Sequence, residues 1–315
     1  MLNINRFCGL SLLAAGALAL AGCGGSSDSS GVVTFSMTDA PVDEAHAVVI
    51  SMTEFEFKPA DGEPFRRDVT EAGRELNLLA LTNGNEAVII DGESVPAGEY
   101  EWIRIFFDQE ASYVQLEEGG SQYSFFMPSG AQTGYKLVGG FTVPANAAVE
   151  YILDFDVRKS LLEPPGLGRL GEDRRFLLKP TIRMMNKFDT GGVTGTIAAE
   201  LLAESNAETC AGGDAVYAFE GENVDPLGQG VQPLVSDIVD LNDVTGAFEF
   251  HLMYLLEGPY TLAFTCSASN DGGEGEDYVY TPDELGFGNT LTVEVVDGEV
   301  AVCDLDANGE WTCAE

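Results

Sequence analysis

Positive charge is what this 315-residue chain has least of: 15 Lys and Arg stand against 52 Asp and Glu, a formal charge of −37. Such a field repels nucleic acid and anionic headgroups, so no nucleic-acid partner is expected. Histidine is nearly absent too. His46 and His251 are the only two, and each is expected at a strand flank or on the surface. Neither a G-x-S-x-G motif nor a CxxC or Cys/His cluster occurs. Paired carboxylates for glycan hydrolysis are available among the 52 acids, but no spacing selects a pair. A non-enzyme without catalytic residues or cofactor is therefore expected. Apart from one short segment near the start, no apolar run approaches membrane-spanning length.

That segment, residues 10–20, is rich in Leu and Ala and follows a short n-region carrying Arg6. It has the length of a secretory h-region. It leads into Leu20-Ala21-Gly22-Cys23, and Gly24-Gly25-Ser26-Ser27-Asp28-Ser29-Ser30 follows. The arrangement resembles the lipobox of a bacterial lipoprotein. What the resemblance implies is a signal peptide over residues 1–22, lipidation of Cys23, and a flexible Gly/Ser tether over residues 23–30. With Gly24 rather than Asp after the cysteine, it further implies outer-membrane sorting, on either face. The alternative is an ordinary secretory signal with a chance cysteine. Loss of residues 1–22 removes Arg6 and no acid, leaving 14 basic and 52 acidic residues and a charge of −38. The acid suits a solvated surface in a salty medium; the sharper alternative is capture of divalent cations.

Four cysteines remain after Cys8 and Cys23 are set aside: Cys210, Cys266, Cys303 and Cys313. An even number in an exported chain reads as two disulfides, whose connectivity the sequence alone leaves open.

Period-two alternation runs through almost everything after the tether. Val33-Phe35-Met37 alternates with Thr34-Ser36-Thr38, Val48-Ile50-Met52 with Val49-Ser51-Thr53, and Trp102-Arg104-Phe106 with Ile103-Ile105-Phe107. Further strands are predicted over 86–90, 122–126, 135–143, 149–155 and 176–185, with 75–81 as a short helical turn. Asp61-Gly62, Asn83-Gly84, Asp91-Gly92 and Pro96-Ala97-Gly98 punctuate them. A mature length of about 290 residues suits two domains. The expected fold class is all-β, two tandem β-sandwiches over residues 31–188 and 189–315.

Five ordered motifs carry a family resemblance. They are Ser36-Met37-Thr38-Asp39-Ala40-Pro41-Val42-Asp43; Val95-Pro96-Ala97-Gly98-Glu99-Tyr100-Glu101-Trp102-Ile103-Arg104; Ser129-Gly130-Ala131-Gln132-Thr133-Gly134-Tyr135-Lys136-Leu137; Leu153-Asp154-Phe155-Asp156; and Leu178-Lys179-Pro180-Thr181-Ile182-Arg183. Together they resemble DUF4382, a domain of unknown function of bacterial lipoproteins, over residues 31–186. The resemblance implies a β-rich envelope domain and brings no catalytic residues. Asp39 is expected to accept backbone N–H bonds in an Asx-type turn. Asp154 and Asp156 share a strand face and are expected to pair with Arg104, Lys179 or Arg183, with cation binding as the alternative. From Val193 a second pattern, G-x-I, G-x-F-x-F, G-x-Y-x-L, weakly resembles the carboxypeptidase-regulatory-like, prealbumin-type sandwich. Acidic, Gly-rich insertions over 221–241 and 267–277 depart from its compact form.

Two motif matches need weighing. Asp304-Leu305-Asp306-Ala307-Asn308-Gly309-Glu310, with Glu315 at position 12, fits a calcium loop. No helix can follow, however, and the rival is a β-hairpin. A three-residue turn over Ala307-Asn308-Gly309, with Gly309 left-handed, would set Cys303 opposite Cys313 and leave Cys210 to Cys266. A two-residue turn would put them out of register. Gly166-Leu167-Gly168-Arg169-Leu170-Gly171 matches G-x-G-x-x-G, but Pro164-Pro165 before it and charge after it make it a loop.

The sequence thus points to a non-catalytic envelope lipoprotein displaying a binding or adhesion surface toward an envelope protein or glycan. A structural spacer is the alternative, and a carboxylate-based glycan hydrolase stands third. A groove lined by Tyr123, Phe125, Phe126 and Tyr135 beside acids would favour binding or hydrolysis.

Overall fold

The computed structural model describes residues 29–40, 45–127, 133–162, 174–272 and 279–314. Cys23 and the rest of the lipobox, most of the tether, Pro41, the stretch 129–132, the loop 166–171 and Glu315 lie outside the described residues.

Alternation lets each strand bury one face. The first strands in chain order are β1 (Ser30–Ala40), β2 (Ala47–Pro59), β3 (Phe65–Asp68), β4 (Glu75–Asn77), β5 (Ala87–Pro96), β6 (Gly98–Phe107) and β7 (Tyr113–Gln115). Then come β8 (Gln122–Phe126), β9 (Tyr135–Val143), β10 (Ala148–Asp156), β11 (Leu161–Leu162), β12 (Arg174–Leu178) and β13 (Ile182–Asn186). They form one sheet in the order β13-β10-β1-β5 and a larger one in the order β11-β12-β8-β7-β2-β6-β9, with β3 and β4 also on β2. Between the sheets Phe35 meets Phe55, Phe57, Phe141 and Tyr151 at ring-centroid distances of 5.5 to 5.9 Å. Each such buried ring stabilises the sandwich by about 1.5–3 kcal/mol.

The remaining strands are β14 (Thr190–Thr196), β15 (Ala215–Glu220), β16 (Val235–Ile238), β17 (Asp240–Leu241), β18 (Phe248–Leu256), β19 (Gly258–Thr265), β20 (Thr290–Val295), β21 (Val300–Leu305) and β22 (Trp311–Cys313). Their sheets run β17-β18-β14-β21-β22 and β16-β15-β19-β20, closing over a second core that includes Val193, Val216, Phe250, Leu262 and Val295. The molecule is all-β, with two sandwiches.

Three local expectations change. The run 176–185 is two strands, because Pro180 has no N–H to continue a ladder; β12 stays in the large sheet and β13 crosses to the small one. The stretch 75–81 is a strand followed by a 3-10 turn, Leu78–Leu81. The acidic insertion 221–241 is no simple loop: its far end supplies β16 and β17.

Candidate binding face and the seam behind it

The first sandwich has two outer faces, and the second sandwich covers one of them. On β1 and β10 the outward residues Ser36, Thr38, Ile152 and Asp154 are all buried. Asp39 explains part of this seam. Its Oδ1 accepts the N–H of Val157 at 3.1 Å, a contact 118 residues away in sequence. Val157 opens the one-turn helix α1 (Val157–Ser160), whose N-cap, Asp156, accepts from Lys159 N at 3.0 Å. Two carboxylates thus satisfy N–H groups that a helix start leaves open. So fixed, α1 points two cations into the second sandwich. Arg158 bonds the Tyr217 hydroxyl and reaches Asp271 Oδ2 at 3.3 Å, while Lys159 Nζ donates to Pro233 O at 3.2 Å and Leu234 O at 3.3 Å. Tyr217 OH also donates to Asp271 Oδ2 at 2.9 Å, and burial drives its acidity well below that of a free phenol.

From the other side comes Tyr254. It is the extra residue where the β14–β18 register shifts, and its φ of 57° is left-handed. A β-bulge re-aims a side chain; this one packs its ring with Ile152 and Met185. Its hydroxyl lies 3.3 Å from both Gly84 O and Glu86 Oε2. Gly84, at φ 75°, turns tightly beneath it, and a Cβ there would sit 3.0 Å from Met253 Cγ. Glu86 in turn takes the Lys187 ammonium at 2.6 Å.

Asp154 pairs with Arg183, whose Nε lies 3.0 Å from Oδ2, rather than with Arg104. Burial nonetheless raises its pKa, against the pull of Arg183. Asp156 pairs with Lys159 at 3.0 Å. Between the sandwiches remains a cavity of about 30 Å³ lined by Thr38, Asp39, Asn83, Asp154, His251 and Tyr254, large enough for a water. His251 is half-buried within β18, and its Nδ1 is buried without a hydrogen-bond partner among the described residues. Behind it, Asp237 accepts the His251 N–H at 2.6 Å and is pushed up to about 8 by burial.

The opposite outer face, on β3, β2, β6 and β9, is open. Register lines up its outward residues in rows across the strands. One row is Lys58, Trp102 and Val138. The next is Arg66, Glu56, Arg104 and Lys136, and beyond it lie Asp68, Glu54 and Phe106. Arg104 Cζ lies 4.9 Å and Lys136 Nζ 4.7 Å from the Trp102 ring centroid, within cation–π range. Arg66 stands 4.0 Å over Phe106. Glu56 bridges Arg66 at 3.1 Å and Arg104 at 3.2 Å. Gly134, at φ 69°, leaves the room that Arg104 occupies, since a Cβ there would come within 2.8 Å of its Cγ. Val138 is 79% exposed.

Other predicted site residues go elsewhere. Phe125 is fully buried, Tyr123 packs against Phe176, and the Tyr135 hydroxyl bonds Pro180 O, so these rings build the sandwich and not a groove. Cys210 bonds Cys266 and Cys303 bonds Cys313. Cys303 stands opposite Cys313 across a turn whose Gly309 has φ 77°. Asp304 Oδ1 accepts from Thr196 N and Oγ1, both at 2.8 Å, in the neighbouring strand. Asp306 turns inward on its own loop, accepting from Asn308 N at 2.8 Å and Glu310 N at 2.9 Å; these bonds hold its pKa below the usual carboxylate range. Asp304 and Asp306 are thus engaged by neighbouring N–H groups, Glu315 lies outside the described residues, and among the described residues no group of three or more His, Cys, Asp or Glu is placed to hold a metal. No helix among the described residues is long and apolar enough to cross a membrane.

Solved structures to which the chain is similar include three bacterial proteins of low identity. A leucine-rich repeat protein from Bacteroides thetaiotaomicron shares 10% identity over 87% of this chain and 26% of its own, with a TM-score of 0.22. The Bacillus anthracis TIE protein shares 13% over 87% of this chain and 33% of its own, with a TM-score of 0.19. A candidate cell adhesion protein from Bacteroides uniformis shares 10% over 91% of this chain and 97% of its own, with a TM-score of 0.21. The chain thus spans about a quarter and a third of the length of the first two. No curated protein matches the sequence. Residues 30–180 match the model of DUF4382, a domain of unknown function. The part of the chain that holds both the open face and Asp39 of the seam is a DUF4382 domain.

Proposed function

We propose that this protein is a non-catalytic cell-envelope lipoprotein, anchored through Cys23, that displays the outer face of β2, β6 and β9 as a binding surface. One observation carries this: the second sandwich closes one face of the first, while the other presents Trp102, Arg104 and Lys136 outward. A partly exposed indole held between cations is poorly explained by folding alone, since a solvated strand face is served as well by small polar residues. The seam contributes rigidity, so the face is held at a fixed attitude to the rest of the molecule.

Two experiments test it. Palmitate labelling in cells should mark the chain and fail in Cys23→Ser; equal labelling of the variant removes the anchor. Retention of purified protein on isolated envelope fragments should fall at least tenfold in Trp102→Ala with the fold unchanged by circular dichroism. Equal retention would leave the spacer as the function, its partner contacts lying elsewhere.

A further inference from the structure

Four of the chain's 15 basic residues, Lys58, Arg66, Arg104 and Lys136, stand in two adjoining rows of one sheet face. Within those rows Glu56 is the one acid, and Glu54 of the next row also pairs with Arg66 at 2.9 Å, so the patch is locally +2 in a chain of −37. Glu56 is taken up by Arg66 and Arg104. Lys58 and Lys136 have no carboxylate partner among the described residues; Lys58 Nζ donates to the carbonyls of Pro59 and Gly62 at 2.7 and 2.9 Å. With 52 acids in the sequence, leaving two ammoniums without carboxylates on the strands that flank an indole is a departure that asks for an external anion. The Arg104 guanidinium is paired with Glu56, and its Nε is a buried donor without a hydrogen-bond partner among the described residues.

Geometry narrows the anion. Lys58 on β2 and Lys136 on β9 lie on either side of β6 in adjoining rows, two strand spacings across and two residues along, so their backbones are about 12 Å apart, a little over the span of two sugar rings. The indole offers a flat apolar surface to the C–H face of a pyranose, and single ammoniums serve as point charges for carboxylate or sulfate. Resting on the open-face function proposed above, we infer that the patch formed by Lys58, Trp102 and Lys136 in two adjoining rows binds an acidic glycan, with a sugar against the indole and its acid groups on the two lysines. Charge complementarity is local: Asp68 and Glu54 border the patch in the next row, and the acidic remainder of the molecule repels a polyanion beyond the patch. The attraction acts within about 8 Å at physiological salt. A linear polymer can therefore cross the face at this patch but not coat the molecule.

The test uses the full chain in detergent and affinity electrophoresis through gels holding polygalacturonate, neutral dextran or polyglutamate. Polygalacturonate should retard the protein and dextran should not. The exposed Lys136→Gln, combined with Lys58→Gln, should weaken retardation at least tenfold, as should Trp102→Ala, whereas Arg74→Gln, away from the patch, should leave it unchanged. Molar salt should abolish it, the screening length then being about 3 Å. No retardation by polygalacturonate, equal retardation by polyglutamate, or indifference to the lysine pair would each overturn the inference. Envelope retention that still depends on Trp102 in that event would keep the binding-face function and discard only the glycan; loss of both would discard both.

Discussion

The Asp39 carboxylate at the end of β1 accepts the N–H of Val157 just beyond the neighbouring strand β10, and through that bond a motif near the start of the domain fixes the helix turn that grips the second sandwich. Asp39→Ala leaves the Val157 N–H buried without this acceptor and should cost about 1–3 kcal/mol in urea unfolding. Asp39→Asn retains an acceptor oxygen and should recover most of the loss. Equal loss in both variants would mean that the charge, and not the hydrogen bond, matters.

Tyr254 holds a left-handed backbone to place its ring against Ile152 and Met185. Tyr254→Gly should relieve roughly 1–2 kcal/mol of backbone strain but forfeit about 1.5–3 kcal/mol of ring burial and a further 0.5–1 kcal/mol or so of chain entropy. A net loss is expected, together with separation of one calorimetric transition into two as the sandwiches uncouple. Tyr254→Phe, which removes only the hydroxyl, should cost about 0.5–1.5 kcal/mol and keep a single transition.

Stability should fall as pH rises toward neutrality. Asp237 keeps its proton to about 8 in the fold because it is buried, whereas the unfolded chain releases it near 4 or so. Between those values the unfolded state binds fewer protons, so each unit of rising pH costs up to about 1.4 kcal/mol, levelling off once the folded group also ionises. Asp154, raised in the same direction, adds to the trend. Asp237→Asn should flatten the decline in Tm measured from about pH 5 to about pH 8; an unchanged slope would show that Asp237 is ionised in the fold.

The two disulfides close loops of different size, 56 residues for Cys210–Cys266 and 10 for Cys303–Cys313. By chain entropy their removal as Cys→Ser pairs should cost about 4 and 3 kcal/mol, respectively. Denaturant midpoints of the two double variants give the order directly, and a reversed order would place the difference in the folded state.

At the C-terminal turn the Asp306 carboxylate is occupied by backbone N–H groups. Calcium and chelator should therefore give the same melting temperature, while Asp306→Ala should lower it slightly in both. A calcium-specific rise lost in the variant would restore the cation-loop alternative.

Much of this molecule is legible in local pattern. Period-two alternation marks β2, β6, β9 and the core residues Phe35, Phe55 and Ile103, because a strand facing a core must alternate. The spacing of Cys303, Gly309 and Cys313 encodes a hairpin, since one glycine in the left-handed region sets the register. Outward positions such as Lys58, Trp102 and Lys136 alternate just as clearly, yet their sequence neighbours do not show which strands lie side by side. Asp39 meeting Val157, Tyr254 reaching Ile152, and Lys136 reaching the Trp102 indole depend on pairing between remote strands and on which sandwich face the second domain covers. Alternation is a property of one strand and is written locally; adjacency belongs to the sheet order, which only the tertiary structure decided.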